Sequence, residues 1–339
     1  MMKKLLGLVL VISLGLITFL ALSRNSLDEA KAERYSVVEE IIIEDYWQDN
    51  RLRLTRKTES SEEGTAVWIP TDLMVKEDKL YLFNSEGNNI IEVNMSGELQ
   101  NIYPTSPNSV NFGLGLKNGL LYYATPRAVY ELDLSNKENK KIFSGIIGLA
   151  GFREGSNTFY IVDPLFETVT LVNKQKSISA LNIGDLFIKN NMPRPQGHRR
   201  FLKDNCIYSP SEFKYVNSEE AYYKSESYSK DLLVINIDTQ EIVSINSQGR
   251  EFGYYILGID NKERIYSTTS LYVDRILVHD EHGHFHFEIK PECARYGKPV
   301  SSIYDELLVH PVYITENGDI FIMIQTEEGT FIVRYTHSA

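Results

Sequence analysis

The body of the chain repeats a unit of four short strands. Its runs of four to eight residues alternate apolar and polar side chains and are bounded by Gly, Asn, Asp and Pro, which is typical of half-buried strands. In the unit at Asp72–Tyr103, "DLMVKEDKLYLFNSEGNNIIEVNMSGELQNIY", three turns separate four such runs. Further units lie at Phe112–Phe143, Gly148–Leu181, Ser211–Ile245, Gly253–Ile289 and Pro311–Tyr335. Four-stranded units that repeat every roughly 35–45 residues predict the blades of a β-propeller.

The number of strands predicts how the ring of blades closes. The last unit has three strands, whereas a spare apolar segment, "SVVEEIIIEDY" at Ser36–Tyr46, precedes the first unit. A strand from this segment would complete the last blade and pair its open edge. We therefore predict an all-β domain over residues 36–339, a six-bladed β-propeller of four-stranded antiparallel blades whose last blade is closed by an N-terminal strand. Seven blades are the alternative, because Asp45–Ile69 has room for one more hairpin.

Two segments carry a recognisable repeat motif, "KLYLFNSEGNNIIEVNMSGEL" and "RIYSTTSLYVDRILVHDEHGHF". They resemble the repeats of NHL-type and TolB-like six-bladed propellers, which run apolar–x–turn–(I/L)Y(V/I) and then V–x–D–x–x–G. The resemblance covers most of Ser36–Tyr335. It implies a fold and no particular activity.

The N-terminus has the layout of an export segment. "MMKK" is a short basic region, and Leu5–Leu22 is an apolar run without a charge. Residues 1–23 are therefore predicted to form either a signal peptide, cleaved after Ala21-Leu22-Ser23, or an uncleaved membrane anchor. Residues 24–35 are predicted to form a polar linker. In both cases we expect the domain to be extracytoplasmic. It would be secreted or periplasmic after cleavage, or otherwise anchored to the cytoplasmic membrane by this single segment.

Charge and cysteine usage exclude some classes of partner. The net charge of −11 argues against a nucleic-acid partner, because phosphate binding needs a concentrated basic surface. Cys206 and Cys293 have no CxxC or Cys/His spacing that would indicate structural zinc. After export they could pair, although two separate buried thiols are the reading that we favour.

Four of the seven histidines lie in "RILVHDEHGHFHFEI", at Arg275–Ile289. His284 and His286 are two residues apart and would share a strand face, so together with His279 they could ligate a zinc ion. The first repeat unit offers a comparison. Aligning Gly283 with Gly97 places ordinary polar residues where His284 and His286 stand, and places Val93 at His279 on the opposite face. The pattern favours a solvated hairpin, and the metal site is the alternative.

Polar residues near the predicted starts of the innermost strands form a second candidate site. These are Asp72, Asn111, Glu212 and His310, with Arg153 close to a further start. Asp, Asn and Glu oxygens suit calcium or another divalent cation. Lactonase-type six-bladed propellers are similar, since they use such a central cation to polarise an ester carbonyl. The alternative is that polar residues collect at a wet channel mouth without a catalytic task.

A Pro-rich and locally basic insertion, "NNMPRPQGHRRFLKDN" at Asn190–Asn205, interrupts the blades. Its basic side chains, which could receive an anionic group, are Arg194, His198, Arg199 and Arg200. We expect them at the same end of the ring as the central polar residues, because connections between blades emerge where innermost strands begin. The alternative is a solvated connector.

Two classes of function follow from these features. No GxSxG, HExxH, P-loop or dinucleotide motif occurs in the sequence. This favours a module without enzymatic activity, which binds or scaffolds a protein, peptide or glycan at one face of the ring. The alternative is a metal-dependent hydrolase of the lactonase or esterase type that uses a central divalent cation.

Overall fold

Six antiparallel sheets of four strands surround a central cavity in the computed structural model of the chain. The structure describes residues 35–42, 72–84, 88–106, 112–152, 158–163, 165, 167–173, 176–192, 195, 200–211, 214–216, 226–270, 273, 275–293, 298–299, 311–326 and 329–337. The predicted six-bladed propeller is confirmed.

Each blade runs from an innermost strand at the axis to an outermost strand at the rim, and its strands are named in that order. Blade 1 contains β2 (Asp72–Lys76), β3 (Lys79–Asn84), β4 (Asn89–Asn94) and β5 (Leu99–Pro104). Blade 2 contains β6 (Phe112–Lys117), β7 (Leu120–Thr125), β8 (Ala128–Asp133) and β9 (Asn139–Ser144). Blade 3 contains β10 (Leu149–Phe152), β11 (Thr158–Val162), β12 (Thr168–Asn173) and β13 (Lys176–Asn182).

The second half of the ring is built in the same way. Blade 4 contains β14 (Phe201–Lys203), β15 (Cys206–Pro210), β18 (Asp231–Asn236) and β19 (Glu241–Asn246). Blade 5 contains β21 (Tyr255–Ile259), β22 (Ile265–Thr268), β23 (Ile276–His279) and β24 (Phe285–Ile289). Blade 6 contains β27 (Val312–Ile314), β28 (Ile320–Thr326), β29 (Gly329–His337) and β1 (Tyr35–Ile42).

In the described part of the chain, two small sheets and one helix lie outside the six blades. A three-stranded sheet is formed by β16 (Lys214–Val216), β17 (Glu226–Ser229) and β20 (Phe252–Gly253), and a two-stranded sheet by β25 (Glu292–Cys293) and β26 (Lys298–Pro299). Helix α1 (Ile183–Lys189) lies in the connection from blade 3 to blade 4.

The first and last described strands close the ring. β1 pairs antiparallel with β29 in a register that runs from Tyr35 opposite His337 to Ile42 opposite Phe331. This pairing confirms the predicted closure by an N-terminal strand. The innermost strands β27 and β2 are also neighbours, so blade 6 packs directly against blade 1. The segment Asp45–Ile69, on which the seven-bladed alternative depended, lies outside the described residues.

Each blade buries both of its faces because it is packed between two others. In β3, Leu80 and Leu82 pack against Phe321 of blade 6. The alternating residues Tyr81 and Phe83 belong to the cluster shared with blade 2. Among the described residues the buried apolar side chains form six such clusters, one at each blade interface. Burying an aliphatic or aromatic side chain stabilises the fold by about 1.5–3 kcal/mol, so the interfaces hold the ring together.

Blade 4 differs from the unit expected at Ser211–Ile245. Its innermost strand is Phe201–Lys203, inside the predicted insertion at Asn190–Asn205, and Cys206–Pro210 is its second strand. A strand of three residues beside a Pro-rich stretch has too few alternating positions to be visible in the sequence. Cys206 is a free thiol whose pKa is raised by burial, while the side chain of Cys293 lies outside the described part of the chain.

Candidate functional site

A cavity of about 740 Å³ runs along the axis of the ring. All six innermost strands line it, and most of the side chains that they contribute are apolar. Asp72 and Lys76, the first and last residues of β2, both line the cavity, which therefore extends along the full strand. We call the end where the innermost strands begin the amino end, and the end where they finish the carboxyl end.

Asp72 lies at the amino end and joins two blades. Its Oδ1 accepts a hydrogen bond from the backbone N–H of Leu73 at 2.9 Å, and its Oδ2 accepts one from Gly113 of blade 2 at 2.8 Å. Asp72 is the described member of the predicted central set. The other members, Asn111, Arg153, Glu212 and His310, lie outside the described residues.

Two of these residues do not precede an innermost strand as the sequence predicted. Glu212 follows β15, the second strand of blade 4, rather than preceding an innermost strand. Arg153 follows the last residue of β10 and thus the carboxyl end of that strand. Within the described residues, no three His, Cys, Asp or Glu side chains are grouped so that they could hold a metal ion.

Arg200 is the described member of the predicted basic set, since Arg194, His198 and Arg199 lie outside the described residues. It immediately precedes β14, so it shares the amino end of the ring with Asp72. Burial lowers the pKa of its guanidinium to about 10, against the opposing influence of Tyr254 and Asp163.

Three large aliphatic side chains at this end are strongly exposed. Ile146 is 72% exposed, Leu165 is 79% exposed and Ile188 is 72% exposed. We call these three residues the aliphatic set. A single exposed apolar side chain is common in folded proteins, whereas several on neighbouring segments are a candidate contact surface. Their sequence context did not reveal them, because an apolar run such as "GIIGLA" shows no difference between an inward and an outward side chain.

Backbone hydrogen bonds join the three segments that carry the aliphatic set to the same blade. Gly148, two residues after Ile146, donates to the carbonyl of Val162 at 2.8 Å. Ile183, the first residue of α1, donates to the carbonyl of Glu167 at 2.7 Å. Val162 and Glu167 flank the turn that holds Leu165. The whole set is therefore assembled around the amino end of blade 3.

Each of these segments is held in a defined conformation. In the turn between β11 and β12, the Asp163 carboxylate accepts hydrogen bonds from the backbone N–H groups of Leu165 and Glu167, at 2.8 and 2.9 Å. Helix α1 is capped by Asn182, whose side chain accepts from the N–H of Asp185. The buried side of α1 packs between blades 3 and 4 through Ile183, Leu186 and Phe187. Ile188 therefore projects outward from an anchored helix.

The histidine hairpin is the β23–β24 turn of blade 5, and it pairs with the connection that leads from blade 4 to blade 5. Its turn has the predicted construction, because Asp280 Oδ1 accepts from the N–H groups of His282 and His284 at 2.9 and 2.8 Å, and Gly283 has a φ of +84°. In blade 1 Asn94 Oδ1 accepts in the same way from Ser96 and Glu98, and Gly97 has a φ of +83°. The predicted turn roles of Asp280 and Gly283 are thus confirmed.

The three histidines considered as ligands point to different surroundings. His284 Nδ1 donates to Asp280 Oδ2 at 2.9 Å, and His286 Nε2 is 3.5 Å from the same oxygen. His279 is fully buried, and its Nε2 donates to the carbonyl of Arg250 at 2.9 Å. Its ring packs against Phe252, with the ring centroids 4.3 Å apart. The structure therefore brings His284 and His286 together at Asp280 and places His279 in the interior.

The same hairpin contains two shifted pKa values. Burial lowers the pKa of His279 to about 4, against the opposing effect of its hydrogen bond to Arg250. Burial would raise the pKa of Asp280, but the hydrogen bonds from the His284 side chain and from two backbone N–H groups outweigh it and bring the pKa to about 2.

Comparisons with known proteins identify no family for this chain. No protein-family model matches it, and no curated protein matches it significantly. Among solved structures, the chain is similar to Kuenenia stuttgartiensis hydrazine synthase, with 8% identity, a TM-score of 0.48 and coverage of 83% of this chain and 99% of that one. A streptogramin B lyase has 10% identity, a TM-score of 0.47 and coverage of 79% and 93%. The WD40 repeats of RRP9 have 10% identity, a TM-score of 0.44 and coverage of 75% and 73%.

None of the helices in the described residues is long and apolar enough to cross a membrane. The predicted signal peptide or anchor at Leu5–Leu22 lies outside those residues. What identifies the fold is the arrangement of the sheets themselves, with six four-stranded blades, six interface clusters and a ring closed by β1. The chain is a six-bladed β-propeller.

Proposed function

We propose that the protein is a binding module that docks a protein or peptide on the amino end of the ring, at the aliphatic set around blade 3. The observation that carries this proposal is the exposure of Ile146, Leu165 and Ile188, each above 70%, on segments tied to one blade. A partner that covers an aliphatic side chain of this size gains about 1.5–3 kcal/mol from it. Such side chains could form the apolar centre of a larger interface.

The construction of the surface favours binding because little order has to be created. The Leu165 turn is fixed by Asp163, and α1 is fixed by its buried side. Preformed contact residues avoid most of the entropy loss of ordering a flexible loop. The amino end can therefore act as a rigid platform.

The chemistry of the set favours a protein or peptide over a glycan. Aliphatic side chains complement apolar protein side chains, whereas sugar hydroxyls need hydrogen-bonding partners. Exposed charges of both signs flank the aliphatic set. The acidic residues are Glu167 and Asp185, and the basic residues are Arg127 and Lys189. A polar rim around an apolar centre is the usual composition of a protein interface.

We further propose that the domain is exported and works outside the cytoplasm, as the Leu5–Leu22 segment indicates. The described part of the domain begins with Tyr35, which lies opposite His337 in β29. A linker over residues 24–34 spans at most about 40 Å when it is extended. With an uncleaved anchor, the domain would therefore stay close to the membrane surface.

The test compares the triple variant Ile146→Ser, Leu165→Ser, Ile188→Ser with the wild-type chain. Cells expressing each protein are treated with a cross-linker, and captured partners are quantified by mass spectrometry. We expect a partner whose recovery falls by about tenfold or more in the triple variant, since each lost aliphatic contact costs about 1.5 kcal/mol or more. The melting temperature should change little, because the side chains are exposed.

The chain provides a matched control in Val243. This residue is 58% exposed and lies on β19, the outermost strand of blade 4. Val243→Ser should keep the partner. Equal recovery with the triple variant and with Val243→Ser would overturn the proposal. Thermal melts with calcium and with chelator, on the wild type and on Asp72→Asn, test the alternative of a central cation.

A further inference from the structure

We propose that the axial cavity binds a small amphipathic anion, with its anionic group at the carboxyl end near Lys76, Lys117 and Lys203 and its apolar body between the innermost strands. This site lies at the opposite end of the ring from the aliphatic set. It does not depend on the proposed function.

The three lysines occupy equivalent positions in three blades. Lys76 is the last residue of β2, Lys117 of β6 and Lys203 of β14, and all three line the cavity. Because each innermost strand crosses the ring in the same direction, the three ammonium groups belong to the same end of the cavity. Three of the six innermost strands thus end with a lysine.

Lys76 and Lys203 have different kinds of partner. Lys76 pairs with Glu316 at 2.5 Å, whereas Lys203 donates to the backbone carbonyl of Asp260 at 2.6 Å. A carbonyl carries no net charge, and the Asp260 carboxylate is engaged by Arg264, whose Nε donates to it at 2.6 Å. Among the described residues, the cavity lining at this end holds three ammonium groups and the two carboxylates of Glu316 and Asp204.

The electrostatic environment of Glu316 agrees with this description. Its pKa is lowered by the hydrogen bond and charge of Lys76, and the charge of Lys203 adds to the effect. Both lysines therefore act on the same small region. An anion placed there would be stabilised by the same two cations.

The walls of the cavity provide the apolar half of the site. Leu116, Phe152, Leu202, Leu257 and Ile314 line it from five different blades. A volume of about 740 Å³ is within the usual range for small-molecule sites. Four residue steps along β2, from Asp72 to Lys76, correspond to about 13 Å. The space is therefore suited to a compact aromatic or a short alkyl body.

The two ends of the cavity also fix the orientation of such a ligand. At the amino end the described lining contributes the carboxylate of Asp72, which repels an anion. At the carboxyl end the lysines attract it. A ligand with one anionic end should therefore bind in one direction only, with its charge at the carboxyl end.

The experiment uses three probes that share one apolar body and differ in charge. These are naphthalene sulfonate, neutral naphthalene methanol and naphthylmethylammonium. The full chain is expressed, and the protein is purified in whatever form the cells leave it. Isothermal titration calorimetry measures the binding of each probe, and the blank is a titration of the probe into the same buffer without protein. We expect the sulfonate to bind about tenfold more tightly than the alcohol, and the ammonium most weakly, because one charge-assisted contact is worth about that factor. Added salt should weaken the sulfonate alone.

Variants locate the site within the molecule. The double variant Lys117→Gln, Lys203→Gln should weaken the sulfonate about tenfold or more and leave the alcohol unchanged. The matched control is Lys140→Gln, an exposed lysine on β9 at the outer edge of blade 2, which should bind like the wild type. Leu116→Trp, which fills the cavity, should weaken the sulfonate and the alcohol alike, with melting curves as the check on folding.

The outcomes separate cleanly. Equal affinity for the three probes, no detectable binding of the sulfonate, or the same loss in Lys140→Gln as in the double variant would each overturn the proposal. Capture of the protein partner serves as an independent readout. It should be unaffected by the double variant, because the aliphatic set lies at the other end of the ring.

Discussion

At the scale of single residues, the buried imidazole of His279 links the stability of blade 5 to pH. The interior disfavours the charged ring, so the pKa in the folded chain is about 4 against a value of 6.5 for a free histidine. Between these two values the unfolded chain binds the proton more strongly than the folded one. Stability is therefore fully present above pH 6.5 and falls as the pH is lowered toward 4, by up to about 3 kcal/mol.

This dependence predicts the behaviour of His279→Leu. Urea unfolding at pH 7 and at pH 4.5 should show that the wild type loses about 2 kcal/mol more than the variant over this interval, because the variant has no ring to protonate. His282→Gln is the control, since His282 is exposed, and it should retain the wild-type dependence. Asp280 has a pKa of about 2 and keeps its charge throughout this range. An equal loss in the wild type and in His279→Leu would show that another group is responsible.

At the scale of elements, the turns set the geometry of each hairpin. A turn can need glycine because its backbone is strained or because a neighbouring strand lies close, and two glycines of this chain distinguish these reasons. Gly119 and Gly283 both have positive φ, +73° and +84°. A Cβ on Gly119 would meet no atom within 4 Å, whereas a Cβ on Gly283 would clash with the carbonyl oxygen of Asn246. Gly119 thus tests backbone strain alone, and Gly283 tests strain together with the approach of a neighbouring strand.

We expect Gly119→Ala to destabilise the fold by about 1 kcal/mol, the cost of a left-handed conformation for a residue with a Cβ. Gly283→Ala should cost clearly more, roughly 2–4 kcal/mol, because the β18–β19 hairpin of blade 4 would have to move away. Denaturant unfolding of both variants measures the difference. If the two costs are equal, the close approach of Asn246 has no energetic weight.

The same elements show how far the sequence determines the structure. Units with three clear turns and alternating strands, such as blade 1, were predicted correctly, and so was the construction of the Asp280–Gly283 turn. β14 and α1 were missed because three and seven residues are too short to establish a period. Asp72 was correctly placed at the start of an innermost strand.

The functional surfaces were harder to predict than the blades. The three lysines become equivalent only when the last residue of each innermost strand is known, and sequence patterns locate strand ends poorly. The exposure of Ile146, Leu165 and Ile188 depends on how connections fold over blade 3, which involves residues distant in sequence. Periodicity describes the two faces of a strand and contains no information about such contacts.

At the scale of the whole molecule, the pairing of β1 with β29 decides whether the ring has an open edge. Deleting residues up to Ile42 removes β1, whereas deleting residues up to Glu33 leaves it in place. The first deletion should cost roughly 3–5 kcal/mol, because several backbone hydrogen bonds worth about 0.5–1.5 kcal/mol each are lost. It should also promote self-association through the exposed edge of β29.

Melting curves and light scattering of the two truncated chains test this prediction. The chain that begins after Glu33 is the control for the loss of the N-terminal segment alone. It should have the same melting temperature as the untruncated chain and should stay monodisperse. If both truncations lower the melting temperature equally, the contribution comes from the preceding residues and not from β1.

The closure by β1 also has a consequence for biosynthesis. Tyr35 and His337 are partners in the register but lie 302 positions apart in the chain, the difference between their numbers. At translation rates of about 5–20 residues per second, β1 leaves the ribosome roughly 15–60 s before β29 exists. During this interval β1 is an unpaired strand that could join the same strand of another nascent chain. From the sequence, the adjacent acidic residues Glu39 and Glu40 are expected to disfavour pairing with a second copy of the same strand.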